Sequence, residues 1–338
     1  MMGMEQTTIT PLLPRPRLGL ALAGGAARGF FHLGVVQALS EAGIRPDWYA
    51  GTSAGSLVAA CCAAGLSTEA IRKLAGSMTW RRSILGIRQS AWEMLAALRA
   101  YAFRDAERMP PGFLENSRVA RTIDAALGGR TFSQIAPLLV TSTDVVTGEE
   151  IVFCSPAVAQ ALADRGYPAP RPTSETAWEA LYAPHHVVAP FEDVGLAVRC
   201  STCIPGVMTT VLVDTPDRNG PLKRRLLNDG GIVDLVPVRP LRAAGCEKVL
   251  AVFLGLLPRS SDARHFPGVL ANSGNGLASE QLHASLRAAD HVIYDPEIER
   301  VSLVKLDPHL VDVGYEFTRA RIPEIRRALG LDVVSAAA

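Results

Sequence analysis

The chain has 338 residues, 48% of them hydrophobic, which is enough to bury a large core in one α/β domain or two smaller ones. Its 34 lysines and arginines nearly balance its 33 aspartates and glutamates. With a net charge of +1, no overall field would gather nucleic acid, so we expect no nucleic-acid partner.

The N-terminal residues contain no apolar run of the kind found in a secretory signal, and no window approaches the ~20 apolar residues that span a bilayer. We therefore expect a soluble, cytoplasmic protein with flexible tails at residues 1–16 and 331–338. Cys200 and Cys203 form the one Cys-x-x-Cys pair, without a neighbouring histidine, so we expect free thiols and no metal site.

Two strand–glycine–helix units open the chain. Residues 17–25 are a short apolar run closed by glycines, and Leu33, Val36 and Leu39 follow near helical spacing. The stretch PDWYAGTSAGSLVAACCAAG repeats this order, with a strand that enters Gly51 and then a helix of small residues. Two such units predict a three-layer α/β/α fold with a mainly parallel central sheet and helices on both faces.

The middle of the chain changes character. Residues 67–135 are charged and helical, and we expect them to form an excursion over the sheet edge. Two strands around a Thr-Gly turn are predicted within 138–153. Residues 155–190 are rich in proline and alanine, which favours a surface insertion, and 214–225 favour a polar turn or hairpin tip.

The last third returns to the sheet. Two further strands are predicted within 226–238 and 248–256. A helix through 277–290, a strand around 301–307 and a closing helix from about Gly314 complete the prediction.

The pentapeptide GTSAG has the Gly-x-Ser-x-Gly form in which a serine is exposed on a sharp strand-to-helix turn. Ser53 is therefore a candidate nucleophile. Gly51 and Gly55 carry no side chains that would crowd the turn. The alternative is an ordinary loop in which Ser53 only caps the following helix.

The loop AGGAARG, residues 23–29, opens the first helix, where free N–H groups favour an anion. Its spacing fits neither a P-loop nor a dinucleotide fingerprint. As an oxyanion hole, the amides of Gly24, Gly25 and Ala26 would donate to a tetrahedral intermediate, at about 3 to 4 kcal/mol per donor.

A nucleophilic serine needs a base, and Asp229 is the candidate. It ends an apolar run and precedes Gly230 and Gly231, which places its carboxylate at a strand end. Alternatively, Asp229 only forms a turn, or the protein is a conventional Ser-His-Asp hydrolase. The histidines open to that second role are His185, His186, His265, His283, His291 and His309.

Four blocks occur in the order GLALAGGAARGFFHLGVVQALSEAG, GTSAG, STCIPGV and NDGGIVDLVPV. Together they resemble the patatin-like phospholipase family, in particular its bacterial members and the related lysophospholipases. The resemblance covers residues 17–65 and 137–255 well, and it implies one α/β/α domain over 17–330 with a Ser-Asp dyad.

The resemblance also implies hydrolysis of a fatty acyl ester of a phospholipid or lysophospholipid through an acyl-serine, with no metal and no cofactor. An acyltransferase using the same acyl-serine and a catalytically silent lipid-binding module are the alternatives. The implied roles are nucleophile for Ser53, base for Asp229, oxyanion hole for Gly24, Gly25 and Ala26, and loop-ordering residue for Arg28.

Two further features concern the geometry of the oxyanion loop and contact with a membrane. The glycine run of the family commonly begins one residue earlier, where this chain has Ala23, which would be strained if that position required a positive φ. Residues 78–103 combine Trp80 and Trp92 with several arginines, a composition suited to an interfacial helix. Peripheral membrane contact through this segment is expected, unless it packs on the protein's own core.

Overall fold

The computed structural model describes residues 15–79, 84–85, 87–103, 112–168, 186–217, 220–256 and 280–331. Their strands are β1 (Leu18–Leu22), β2 (Trp48–Thr52), β3 (Leu138–Asp144), β4 (Glu150–Cys154), β5 (His186–Pro190), β6 (Val211–Asp217), β7 (Gly220–Asp229), β8 (Lys248–Val252) and β9 (His291–Ile293). Their main helices are α1 (Phe30–Glu41), α2 (Ala54–Ala63), α3 (Thr68–Ser77), α4 (Ile87–Ala102), α5 (Ser117–Leu127), α6 (Pro156–Ala163), α7 (Val194–Ser201), α8 (Val238–Ala243), α9 (His309–Arg319) and α10 (Ile322–Leu329). Residues 280–287 are also helical.

The strands form one sheet in the order β5-β4-β3-β2-β1-β8-β9, with β7 paired to β3 and β6 paired to β7. Neighbours from β3 through β2, β1 and β8 to β9 are parallel, as are β4 and β5. The β3–β4, β3–β7 and β6–β7 pairs are antiparallel. The sheet is therefore mainly parallel, as predicted.

The alternation of side chains along β1 shows why both faces are covered. Leu18, Leu20 and Leu22 enter one hydrophobic core, and Ala21 enters the other. Helices α1, α2, α5, α7 and α9 contribute to the first core, and α6 and α8 contribute to the second. The predicted three-layer α/β/α fold is thus confirmed, with leucine toward one helical layer and smaller alanine toward the other.

The register of β3 positions the ends of two other strands. Thr52, the last residue of β2, pairs with Thr141. The next residue of β3, Ser142, pairs with Asp229, the last residue of β7. Strands β2 and β7 therefore run toward each other along one edge of β3 and end at adjacent positions.

Residues 155–190, expected to be a surface insertion, contribute instead to the core in both of their described parts. Helix α6 buries Val158 and Leu162, and β5 pairs in parallel with β4. The reason is that β4-α6-β5 forms a crossover unit, whose helix must cover the sheet. Residues 169–185 lie outside the described part.

Three other segments also differ from expectation, in whole or in part. Residues 301–307 form no strand, because the carbonyls of Val301 and Leu303 accept hydrogen bonds from the glycine loop instead of from a neighbouring strand. Residues 214–225, expected to be a polar turn or hairpin tip, lie in the β6–β7 hairpin and are mostly paired strand residues. The closing helical region begins at His309, five residues before the expected start.

Three further observations concern the N-terminal segment, the cysteines and the possibility of a membrane-spanning helix. Arg15 forms an ion pair with Asp47 at 2.6 Å, within the segment expected to be a flexible tail. All six cysteines are free. Among the described helices, none has the length and apolar character required to cross a bilayer.

Helices α1 and α9 cross at two glycines. A Cβ at Gly34 would lie 2.0 Å from the Val311 carbonyl oxygen, and a Cβ at Gly314 would lie 2.3 Å from the Phe31 carbonyl oxygen. The backbones can approach this closely only because neither residue has a side chain. This crossing fixes α1, which follows the glycine loop directly.

We expect Gly34→Ala to lower the free energy of unfolding by about 1–3 kcal/mol, because the added methyl group overpacks the helix crossing. Gly76→Ala in α3 is the matched control, since its Cβ would meet nothing within 4 Å. The control should leave stability unchanged or raise it by up to about 1 kcal/mol. Urea unfolding measures both, and equal effects would contradict this role for Gly34.

Candidate active site

Ser53 occupies the turn between β2 and α2. Its backbone has φ 51° and ψ −125°, a left-handed conformation that costs a non-glycine residue about 1–3 kcal/mol. Ser53 stands at the N-cap position of α2, but its side chain makes no capping hydrogen bond. The hydroxyl is therefore directed elsewhere.

The two flanking glycines are required by close backbone approach. A Cβ at Gly55 would lie 2.1 Å from the Leu22 carbonyl oxygen of β1. A Cβ at Gly51 would lie 2.5 Å from the Ser56 Cα. Side chains at either position would push the turn away from the sheet, so the two glycines allow the sharp turn that carries Ser53 from β2 into α2.

The structure brings Ser53 and Asp229 together. Ser53 Oγ donates a hydrogen bond to Asp229 Oδ2 at 2.6 Å. The other carboxylate oxygen, Oδ1, accepts the Gly231 N–H at 2.8 Å, which is the turn-forming contact considered for this aspartate. The two oxygens therefore serve different partners, and the turn contact orients the carboxylate toward Ser53.

Burial raises the pKa of Asp229 to about 6, against the lowering effect of its hydrogen bonds from Ser53 and Gly231. Among the described residues, no cationic side chain contributes to this shift in pKa. A desolvated carboxylate without a cationic partner holds a proton more tightly than an exposed one. Asp229 is consequently a stronger base than an ordinary aspartate.

Histidine takes no part in this pair within the described residues. The structure describes five histidines, which are His32, His186, His283, His291 and His309. None of these five donates a hydrogen bond to Ser53 or Asp229 or accepts one from them. His186 Nδ1 contacts Glu150 instead, at 2.5 Å. His185 and His265 lie outside the described part.

The glycine loop adjoins Ser53 but offers fewer free amides than expected. The Gly24 N–H donates to the Leu235 carbonyl at 3.0 Å, so it is not available to an oxyanion. The amides of Gly25 and Ala26 have no acceptor among the described residues. These two amides are therefore the donors that the loop can direct at a ligand.

The strain in this loop lies at Ala26, with φ 48°, and not at Ala23, whose φ is not positive. Ala23 instead continues β1, and its N–H donates to the Val252 carbonyl at 3.1 Å. His32 Nε2–H donates to the Ala23 carbonyl at 2.8 Å, and burial lowers the pKa of His32 to about 4. A neutral histidine thus supports the start of the loop.

Arg28 is fully buried and directs its guanidinium at backbone carbonyls. It donates to the carbonyls of Leu254, Leu256, Glu299 and Val301 at 2.8–3.1 Å. Burial lowers the pKa of Arg28, with Glu299 opposing this effect. The residue ties the glycine loop to the chain after β8 and to the segment after β9.

A cavity of about 110 Å³ opens at Ser53 and is almost entirely apolar. Three helices line it with residues at helical spacing, which are Ala54, Leu57, Val58 and Cys61 on α2, Ile71, Leu74 and Ala75 on α3, and Val119, Thr122 and Ile123 on α5. Met78, directly after α3, lines it as well. Ala26 of the glycine loop also lines it. Along α2, from Ala54 to Cys61, the lining extends roughly 10 Å at 1.5 Å per residue.

Three supporting residues were missed by the sequence analysis. Ser201 Oγ accepts the Ser53 N–H at 2.8 Å, and the Cys203 carbonyl accepts the Asp229 N–H at 2.8 Å. Thr143 Oγ1 donates to the Asp229 carbonyl at 3.0 Å. Ser201 and Cys203 belong to the block STCIPGV, but no local pattern indicates which of its polar groups face the site.

A family model described as Patatin-like phospholipase matches residues 20–242. An NTE family protein of Mycobacterium tuberculosis is 29% identical over 241 residues, which are 71% of this chain and 49% of that protein. Lysophospholipase NTE1 of Saccharomyces cerevisiae is 26% identical over 248 residues, which are 72% of this chain and 11% of the yeast protein. The chain thus spans about half, or less, of the length of these curated relatives.

Two solved structures have a weak similarity to this chain. The match to the type III effector protein ExoU covers 94% of this chain and 53% of the ExoU chain, at 15% sequence identity and a TM-score of 0.42. The match to human GIVD cytosolic phospholipase A2 covers 94% of this chain and 62% of the human chain, at 13% sequence identity and a TM-score of 0.41.

Asp229→Asn should stabilise the protein in a pH-dependent way. Because the folded pKa of about 6 lies above the unfolded value of about 3.9, stability falls as pH rises between these values, and the loss is complete above pH 6. The difference corresponds to about 2–3 kcal/mol, which the asparagine variant should regain at pH 8 but not at pH 4.

Urea unfolding at both pH values measures this effect. Asp214→Asn is the control, since Asp214 forms an exposed ion pair with Arg224 and should change stability by less than about 1 kcal/mol at either pH. A stability difference for Asp229→Asn that does not vary with pH would contradict the prediction.

Proposed function

The chain belongs to the patatin-like phospholipase family, and from this premise we propose that it is a lipid acyl hydrolase acting on fatty acyl esters of phospholipids or lysophospholipids. One observation carries the proposal. Ser53 Oγ donates at 2.6 Å to a buried carboxylate, at the opening of an apolar cavity. Family membership and the lysophospholipase relative support lipid hydrolysis.

In the proposed acylation step, Asp229 Oδ2 takes the proton of Ser53 while Oγ forms a bond to the ester carbonyl carbon. The negative charge that develops on the carbonyl oxygen is stabilised by the Gly25 and Ala26 amides. The ester C–O bond then breaks, and the departing alcohol takes the proton from Asp229. The product is an acyl-serine.

Deacylation repeats these steps with water. Asp229 takes a proton from the water as its oxygen attacks the acyl-serine carbonyl, and the same two amides stabilise the second tetrahedral intermediate. Ser53 leaves with that proton, and the fatty acid is released. The raised pKa of Asp229 suits both directions of proton transfer, because it lies closer to neutral pH than that of an exposed aspartate.

The cavity supports an acyl chain as the group that enters. Its lining is apolar apart from Ser53 and two threonines, Thr122 and Thr202, so it offers few polar partners to a headgroup. Each methylene moved from water into such a lining contributes about 0.8 kcal/mol. The headgroup would remain on the outer side of Ser53.

We expect Ser53→Ala to abolish hydrolysis of p-nitrophenyl octanoate and of a lysophospholipid, since no acyl-enzyme can form. Asp229→Asn should lower kcat about 10²- to 10⁴-fold, the usual contribution of a general base. Activity assays and labelling by a fluorophosphonate probe measure both effects. Asp214→Asn, in the exposed hairpin, should behave as wild type.

The acidic limb of the wild-type pH–rate profile tests the role of Asp229. A protonated carboxyl cannot accept the serine proton, so kcat/KM should fall about tenfold per pH unit below pH 6. A profile that stays flat from pH 5 to 7 would argue against Asp229 as the base. Full activity in folded Ser53→Ala would exclude Ser53 as the nucleophile.

We also propose that α4 docks on an anionic lipid surface. Its described part exposes large apolar side chains, with Trp92 62% and Leu98 64% accessible, beside the exposed cation Arg99. Ile84, shortly before α4, lines the cavity that opens at Ser53. Trp80, Arg81 and Arg82 of the expected interfacial segment lie outside the described residues.

Trp92→Ala combined with Leu98→Ala should lower partitioning onto anionic vesicles at least about tenfold, because two large apolar contacts with lipid are lost. Leu222→Ala with Val146→Ala is the matched control, since these side chains are 69% and 72% exposed on other elements. Vesicle sedimentation measures the partition. Equal losses in both double variants would contradict docking through α4.

A further inference from the structure

One short segment contacts both members of the Ser53–Asp229 pair. Ser201 is the last residue of α7, and its buried Oγ accepts the Ser53 N–H at 2.8 Å. Two residues later, the Cys203 carbonyl accepts the Asp229 N–H at 2.8 Å. The span from Ser201 to Cys203 therefore joins the backbones of the two residues whose side chains meet.

The Ser53 backbone needs support because its φ of 51° lies in the left-handed region. A residue with a Cβ stays there only where its surroundings hold it. The Ser53 carbonyl accepts the Ser56 hydroxyl at 2.6 Å, a contact within the first turn of α2. The amide contact differs, since it ties the turn to Ser201, which is 148 residues away in the chain.

Helix α7 is itself held at both ends. Asp193 Oδ1 caps its start by accepting the Leu196 N–H at 2.7 Å. Near its end, Asn116 Nδ2 donates to the Arg199 carbonyl at 3.0 Å. Because α7 is anchored in this way, Ser201 Oγ offers a fixed acceptor and would not follow the turn if Ser53 relaxed.

We propose that Ser201 is a positioning residue for the proposed hydrolysis, and this inference rests on that function. Its hydroxyl holds the Ser53 main chain in the rotation that directs Oγ at Asp229 Oδ2. Ser201 is not among the cavity-lining residues, so it acts through Ser53 and not on the substrate. Without it, the buried Ser53 N–H loses its acceptor and the turn is free to relax.

The test compares Ser201→Ala and Ser201→Thr with wild type. The readouts are kcat and KM for p-nitrophenyl octanoate, expressed per site titrated with a fluorophosphonate, so that unfolded molecules do not count. Ser155→Ala is the matched control, because Ser155 is a buried serine whose Oγ accepts a backbone N–H, from Val158 at 3.3 Å, in the cap of α6.

Ser201→Ala should lower kcat per titrated site about tenfold to a hundredfold, as expected for a misplaced nucleophile, with KM changed less than about twofold. The labelling rate should fall by the same factor, and Ser201→Thr, which keeps the hydroxyl, should recover most of both. Ser155→Ala should lower stability only. If Ser201→Ala does not fold, Ser201→Cys takes its place, because a thiol is a weaker acceptor of similar size.

Wild-type kcat per titrated site in Ser201→Ala would overturn the positioning role while leaving the proposed function intact. A wild-type protein that is inert toward the ester, the lysophospholipid and the fluorophosphonate would overturn the proposed function, and the positioning role with it. The two failures are therefore distinguished by the wild-type assay alone.

Discussion

The register of β3 is the constraint on which the candidate site depends. β2 approaches in parallel and ends opposite Thr141, whereas β7 approaches in the antiparallel direction and ends opposite Ser142. The two strands end opposite consecutive residues of β3, so the ends of β2 and β7 face each other. Ser53 and Asp229 therefore meet without a long side chain to bridge them. A slip of one residue in either ladder would turn the strand's side chains to the other face and separate the pair.

Other contacts keep this register while leaving Asp229 without a cation. Buried Arg225 anchors β7 by donating to Asp144 Oδ2 and Thr215 Oγ1, both at 2.9 Å, and it also contacts Glu149. Its charge is therefore engaged with other acids. Arg28 likewise directs its donors at carbonyls. The Asp229 carboxylate is consequently buried without a partner of opposite charge among the described residues, which disfavours the folded state and raises the basicity of the carboxylate at the same place.

The part of the chain after the family match also contributes to the site. The family model ends at residue 242, yet the Leu303 carbonyl accepts the Ala27 N–H at 3.0 Å, and the carbonyls of Glu299 and Val301 accept from Arg28. The strained glycine loop is thus held by backbone that lies outside the matched region. The Gly25 and Ala26 amides, which have no acceptor among the described residues, belong to this loop. Its shape therefore depends on backbone far along the chain as well as on its own seven residues.

The sequence by itself determined the features that contiguous residues encode, namely the first two strand–turn–helix units, the sharp turn at Ser53 and the strand end at Asp229. An apolar run, a glycine or a small-residue helix acts locally, so each can be identified without knowing its neighbours. Tertiary structure alone decided that Leu235 engages the Gly24 amide, that Ser201 holds the Ser53 amide, and that residues 301–307 support a loop instead of forming a strand. In each case the deciding hydrogen bond joins residues far apart in the chain, and the choice among many possible partners depends on which backbone groups the packed layers bring within reach.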